Sequence, residues 1–126
     1  MNVEQCGIIL NVSRFDACVS FYRTLFGLRE LFSKVDGDFR LTCLEFGSAY
    51  LMIETGGVAS AEEKSVAQSP TILRFNVADI HEAFEEVRAQ DGNARLIEND
   101  WGIIVRCTDP DGNPISIRES AGFMPS

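Results

Sequence analysis

Few side chains in this sequence are suited to chemistry, and the first to consider are one histidine and four cysteines. The histidine is His81, and the cysteines are Cys6, Cys18, Cys43 and Cys107. A single histidine excludes, within one chain, any site built on two or more histidines. No two cysteines form a C-x-x-C pair, the spacing typical of zinc and redox sites, so we expect reduced and mostly buried thiols. Cys6 is favoured as a small buried residue over a nucleophile.

Charge and hydropathy exclude two classes of partner. The 126 residues carry 19 acidic and 11 basic side chains, a formal net charge of −8. Binding to a nucleic-acid backbone needs a basic surface. No apolar run approaches the roughly 18 residues that span a membrane, and the N-terminus has no basic region followed by an apolar stretch. The sequence therefore predicts a cytoplasmic protein without a nucleic-acid or membrane partner.

The elements that must position any site follow from periodicity. Ile8–Val12 and Ile72–Val77 are β-branched runs that predict strands, and apolar residues at helical spacing follow each of them. Asp79 is expected to cap the second helix, which places His81 in its first turn as a solvent-exposed residue. Three more strands are predicted after each helix: Arg29–Val35, Arg40–Phe46, Ala49–Glu54, then Ala94–Glu98, Ile103–Thr108 and Pro114–Arg118.

The two halves of the chain repeat one another. At an offset of 65 residues Val12 matches Val77, and at an offset of 64 Cys43 matches Cys107. Order, spacing and residue character are kept across both halves. The sequence therefore predicts an α+β fold of two tandem βαβββ modules. Residues 1–126 form a single domain, with a first module over 1–57, a linker over 58–69 and a second module over 70–120.

Two motifs carry a family resemblance. They are Asn11-Val-Ser-Arg-Phe followed by Phe26-Gly-Leu, and Asp109-Pro-Asp-Gly-Asn leading into Ile115-Ser-Ile. Together they resemble the vicinal oxygen chelate superfamily, which includes glyoxalase I, extradiol dioxygenases, fosfomycin-resistance enzymes and bleomycin-binding proteins. The resemblance implies that each module rolls into a half-barrel, that the two sheets line a concave cavity, and that the helices lie outside. It also implies a divalent metal in enzyme members, held by the first and last strand of each module.

The places of those metal ligands are occupied by unsuitable residues. By register they correspond to Gly7, Met52, Ile72 and Ser116. Glycine and isoleucine have no ligating atom, methionine is a poor partner for a hard cation, and a serine hydroxyl is weak. We therefore expect a metal-free cavity and predict no cofactor. The alternative is a rearranged divalent-metal site with Glu54 as ligand or catalytic base.

Alternation along the strands assigns further residues to the cavity. The predicted ligand-binding residues are Asn11, Tyr50, Met52, Ile72, Arg74, Arg106, Ser116 and Arg118. The repeat match of Cys43 with Cys107 places both cysteines on the helix side, so Thr42 would face the cavity together with Arg106.

The three arginines in this set indicate an anionic ligand, since guanidinium binds carboxylate and phosphate in a bidentate fork. The alternative is that they pair with Glu54 and other acids, or lie in water at the sheet edge. The leading hypothesis is a glyoxalase/bleomycin-resistance-like protein that binds a small molecule, in one version anionic, without a metal.

Two other functions remain open. One is a metal-dependent glyoxalase-like lyase or isomerase, or a dioxygenase, using Glu54. The other is a structural or regulatory partner with no ligand. The resemblance implies a homodimer, and whether modules pair within one chain or between two chains is left open.

Overall fold

The structure is a computed structural model that describes residues 1–125. The chain separates into two compact units, one ending at Ala59 and the other beginning at Ser60. Each unit contains one four-stranded sheet and one helix. Within residues 1–125, no helix is long and apolar enough to cross a membrane.

The first unit has the element order βαβββ. Its sheet has the strand order β1-β4-β3-β2, in which β1 runs parallel to β4 and the other pairs are antiparallel. The elements are β1 (Gly7–Val12), α1 (Phe15–Leu25), β2 (Glu30–Asp36), β3 (Phe39–Phe46) and β4 (Ala49–Thr55).

The second unit repeats this plan. Its sheet has the order β5-β8-β7-β6, again with one parallel pair, β5 and β8. The elements are β5 (Leu73–Val77), α2 (Ile80–Arg88), β6 (Arg95–Asn99), β7 (Gly102–Thr108) and β8 (Pro114–Glu119). The predicted α+β fold of two βαβββ modules is confirmed, and every predicted strand ends within one residue of the observed boundary.

Each helix covers one face of its own sheet. In the first unit Val12, Leu51 and Ile53 are fully buried, and α1 contributes Cys18 and Tyr22 to the same core. In the second unit the buried residues are Val105, Cys107, Ile115 and Ile117 from the sheet, with Ile80 and Val87 from α2. We call the opposite side of each sheet its helix-free face.

The start of each helix is held by a carboxylate. Asp79 caps α2, as predicted, since its Oδ1 accepts hydrogen bonds from the backbone N–H groups of His81 at 3.1 Å and Glu82 at 3.0 Å. In α1 the Asp16 carboxylate accepts two hydrogen bonds from Arg40 of β3, at 2.9 and 3.1 Å. These hydrogen bonds lower the pKa of Asp16 below its ordinary value. The Arg40 guanidinium also lies over the Phe15 ring, which identifies the helix side of β3.

The hairpin between β7 and β8 is organised by Asp109. Its buried carboxylate accepts hydrogen bonds from the backbone N–H of Asp111 at 2.9 Å, the backbone N–H of Asn113 at 3.0 Å and the Asn113 side chain at 2.9 Å. Lys64 then donates to the Asn113 side chain at 2.9 Å, and the Ser60 backbone N–H donates to the Asp111 carbonyl. The segment Ser60–Lys64 is thereby attached to this turn.

Replacing Asp109 should destabilise the second unit. Asp109→Ala leaves three buried donors without their acceptor, so we expect a loss of about 3 kcal/mol in the free energy of unfolding. Urea denaturation followed by circular dichroism measures it. Asp38→Ala, at an exposed position of the β2–β3 turn, is the matched control and should change stability by less than about 0.5 kcal/mol. Equal losses in the two variants would contradict the role assigned to Asp109.

Candidate functional site

Four predicted site residues of the first unit share its helix-free face. Directly paired residues place their side chains on the same face of a sheet. Tyr50, Met52 and Glu54 alternate along β4, and Asn11 of β1 pairs with Glu54. The Asn11 amide donates a hydrogen bond to the backbone carbonyl of Thr55 at 3.2 Å.

Gly7 lies at the start of β1 under an aromatic ring. It pairs with Tyr50, and a Cβ added at Gly7 would overlap the Tyr50 ring. The position therefore has no side chain and no room for one while the ring keeps this place. Ile72, its predicted counterpart in the second unit, lies immediately before β5 and is 38% exposed.

The predicted orientation of Cys43 and Thr42 is wrong. Cys43 pairs with Met52 and so belongs to the helix-free face, whereas Thr42 pairs with Ile53 on the helix side. The Thr42 hydroxyl is buried there and shares a hydrogen bond of 2.8 Å with the Ser33 hydroxyl.

The reason is a difference in hairpin length between the two units. Met52 corresponds to Ser116 at an offset of 64, but their partners across the hairpin, Cys43 and Arg106, are 63 residues apart. The β7–β8 loop is one residue longer than the offset of 64 assumes. A shift of one residue along a strand reverses the face of every side chain. Sequence matching of two cysteines therefore aligned residues with opposite orientations.

The predicted arginines of the second unit lie on its helix-free face. Arg74 of β5 pairs with Ser116 of β8, and Ser116 pairs with Arg106 of β7. Arg118 lies two residues further along β8, on the same face. Cys107 pairs with Ile115 and lies on the helix side, as the alternation predicts.

One arginine of this face was missing from the sequence analysis. Arg95 of β6 pairs directly with Arg106. Arg74, Ser116, Arg106 and Arg95 therefore form one row across all four strands, which we call the arginine row. Counting outward from the Asp100–Trp101 turn would have placed Arg95 opposite Arg106, but strand limits alone do not contain that register.

The arginine row has little internal compensation of charge. Arg106 forms an ion pair with Glu63 at 3.4 Å, and the Arg74 Nε donates to the buried Ser116 hydroxyl at 3.1 Å. Within residues 1–125, neither Arg74 nor Arg95 has a carboxylate within 4.0 Å. Glu63 was assigned to a solvated linker in the sequence, and its role depends on the attachment of Ser60–Lys64 to the Asp109 turn.

Unpartnered buried donors concentrate on the same face. In the part of the chain that the structure describes, the buried side-chain atoms without a hydrogen-bond partner are Nδ2 of Asn99, Nε of Arg106 and Nε of Arg118. All three are N–H donors. By pairing, Asn99 lies with Gly102 on this face, as Arg106 and Arg118 do. Such groups are costly without an acceptor, and an anion is the acceptor that suits them.

The thiols are poorly suited to nucleophilic chemistry. Burial raises the pKa of Cys43, and burial together with the nearby carboxylates of Asp91 and Asp109 raises the pKa of Cys107 to about 12. Both stay protonated at neutral pH, and the thiolate is the reactive form. Cys6 is exposed, contrary to the buried position expected for it.

Comparison with known proteins identifies the family. The sequence profile of the Glyoxalase/Bleomycin resistance protein/Dioxygenase superfamily matches residues 5–117. The chain belongs to this superfamily. The family resemblance stated from the two motifs is confirmed. No curated protein matches the sequence.

Solved structures show the same fold at low sequence identity. The fosfomycin resistance protein FosX from Listeria monocytogenes, complexed with Mn(II) and sulfate ion, has a TM-score of 0.73 at 15% identity, covering 96% of this chain and 95% of that chain. Lactoylglutathione lyase from Agrobacterium tumefaciens has a TM-score of 0.66 at 18% identity, with 98% of each chain covered. FosX from Mesorhizobium loti has a TM-score of 0.69 at 15% identity, covering 94% of this chain and 92% of that chain.

The residues at the expected ligand places do not fit a divalent metal. Gly7 lies under the Tyr50 ring, Met52 offers a thioether, and Ile72 has no ligating atom. Glu54 supplies one carboxylate, with Asn11 and Leu41 as its cross-strand neighbours. No step of chemistry through a metal is derived for this chain.

The packing of Tyr50 over Gly7 can be tested by coupling. Gly7→Ala should lower stability by about 1 kcal/mol, because the methyl group displaces the ring. In a Tyr50→Ala background the same change should cost nothing, so a double-mutant cycle gives the coupling. Gly92→Ala, where an added Cβ meets no atom within 4 Å, is the control. Additive effects of the Gly7 and Tyr50 changes would contradict the contact.

The burial of the thiols predicts their reactivity. At pH 8 the native chain should react rapidly with an aromatic disulfide reagent at one thiol, Cys6, and the unfolded chain at all four. Cys6→Ser should remove the rapid phase. A rapid phase that persists in Cys6→Ser would show that Cys43 or Cys107 is accessible and would contradict their burial.

Proposed function

We propose that this protein binds a small anionic molecule, with a carboxylate or phosphate group, at the arginine row of the second unit. The observation that carries the proposal is the alignment of three arginines and one serine across all four strands. Relatives in the superfamily support a small-molecule role, since FosX from Listeria monocytogenes was solved with a sulfate ion and also with a dihydroxypropylphosphonic acid.

The charge distribution supports an anion rather than a neutral ligand. From Ser60 onward the sequence has six basic residues against twelve acidic ones, and four of the six lie on the helix-free face. An acidic unit that concentrates its arginines on one face creates a locally positive surface, which attracts and orients an anion.

Direct pairing of Arg95 with Arg106 strengthens the argument. Like charges opposite one another in a sheet are destabilising. Glu63 compensates Arg106 alone, and the Arg106 Nε still has no acceptor. A bound carboxylate or phosphate would accept hydrogen bonds from both guanidinium groups and relieve the repulsion.

Ser116 completes the recognition. Its hydroxyl oxygen accepts a hydrogen bond from Arg74, so its own hydrogen can be donated to an anion. The hydroxyl is buried between two arginines of the row, and burial strengthens hydrogen bonds to charged groups. The row can thus bind one anionic oxygen group from three directions.

The cytoplasmic location and the homodimer are also proposed. They rest on the sequence and the family resemblance, and the arginine row does not require either.

Removal of single arginines tests the proposal. Native mass spectrometry against a library of acidic metabolites identifies bound anions, and calorimetry with inorganic phosphate gives an affinity. Arg74→Gln and Arg106→Gln should each weaken binding roughly tenfold or more, because each removes charged hydrogen bonds. Arg88→Gln on α2, an exposed arginine paired with Glu85, makes the same change in net charge and should leave affinity unchanged.

Two results would contradict the proposal. One is the absence of any bound anion across the library, which would favour the structural or regulatory partner. The other is an equal loss of affinity in Arg74→Gln and Arg88→Gln, which would reduce the effect to net charge.

A further inference from the structure

Arg118 is a buried cation without a counter-ion. Only 7% of the residue is exposed, and within residues 1–125 no carboxylate lies within 4.0 Å of its guanidinium. Its Nη2 donates to the backbone carbonyls of Trp101 at 2.7 Å and Gly122 at 3.2 Å. Its Nε has no acceptor. A buried charge is costly unless it is paired, so this arrangement needs an explanation.

Two exposed aromatic residues cover the guanidinium. Its central carbon lies 4.9 Å from the centre of the Trp101 ring and 5.3 Å from the centre of the Phe123 ring. Trp101 is 51% exposed and Phe123 is 45% exposed. These cation–π contacts and two carbonyls are the protein's substitute for an anion.

The cover from the C-terminal side is attached by few bonds. Residues 121–125, which we call the terminal strap, are all exposed. The strap follows Ser120, whose backbone N–H donates to the Val77 carbonyl at 2.7 Å, and Phe123 donates back to Ser120 at 3.1 Å. Its contacts with Arg118 are the Gly122 carbonyl and the Phe123 ring.

Resting on the function proposed above, we propose that the terminal strap competes with the anionic ligand for Arg118. Arg118 lies two residues from Ser116 along β8, which is about 7 Å of strand. An anion extended beyond the arginine row reaches this guanidinium when the strap leaves it. The ligand then replaces one carbonyl and one ring with charged hydrogen bonds, and it supplies an acceptor for Nε.

This exchange makes Arg118 a specificity-determining residue. A compact anion is held by the arginine row alone. A longer anion, with a second acceptor group about 7 Å from the first, gains Arg118 and displaces the strap. The substrate class favoured by the complete face is therefore a small molecule with two separated anionic or acceptor groups.

Weakening the strap should strengthen anion binding. Phe123→Ala removes the ring over Arg118, and we expect a roughly three- to fivefold gain in affinity for citrate, a probe with several carboxylates. Met124→Ala changes an exposed neighbour in the same strap and should leave the affinity unchanged. Arg118→Gln in the Phe123→Ala background should abolish the gain. Calorimetry measures all four chains, and circular dichroism verifies their folding.

Trp101 offers an independent reading of the strap. It is the only tryptophan, and it contacts Arg118 beside Phe123. Citrate should change its fluorescence in the wild-type chain, whereas inorganic phosphate held by the arginine row should not. This spectral difference does not depend on how large the affinity change is.

The outcomes separate the strap from the proposed function. Equal citrate affinity in the wild-type chain and Phe123→Ala, with binding still lost in Arg106→Gln, overturns the strap and leaves the anion site intact. Binding of neither citrate nor phosphate to any chain overturns both. A gain in Phe123→Ala that survives Arg118→Gln overturns the role of Arg118.

Discussion

The candidate site depends on the Asp109 carboxylate, because this group determines the register of the β7–β8 hairpin. Its three hydrogen bonds hold a loop of the length that places Arg106 opposite Ser116. A slip of one residue would turn the arginines toward α2 and bring Cys107 to the other face. The same turn receives the Ser60–Lys64 segment, which carries Glu63 to Arg106. One buried acid thus controls both the position of the cations and their internal counter-ion.

The two units share a plan but differ in chemistry. The helix-free face of the first unit carries Tyr50, Met52 and Cys43, with the Tyr50 ring lying over Gly7. That of the second unit carries the arginine row. A duplicated fold can diverge in this way because side chains on the helix-free face are not needed for packing under the helix. Relatives of the same fold that bind Mn(II) show that the fold alone does not determine the ligand.

Much of the fold was predictable from local pattern, and parts of the site were not. Strand limits followed from β-branched runs and turn residues, and Arg74, Ser116 and Arg118 followed from alternation within strands. Cys43 was misplaced because the hairpin loops of the two units differ by one residue. Arg95 was missed because its position depends on pairing with a neighbouring strand.

By itself the sequence determined the repeat, the α+β class, the superfamily and the deficiency of metal ligands at Gly7 and Ile72. Periodicity, turn chemistry and residue type are local properties, and they need no partner in space. Only the tertiary structure decided that four arginines share a face, that Glu63 reaches Arg106, and that the terminal strap covers Arg118. Those facts join residues far apart in the chain, and they depend on hairpin register and on where an exposed segment folds back.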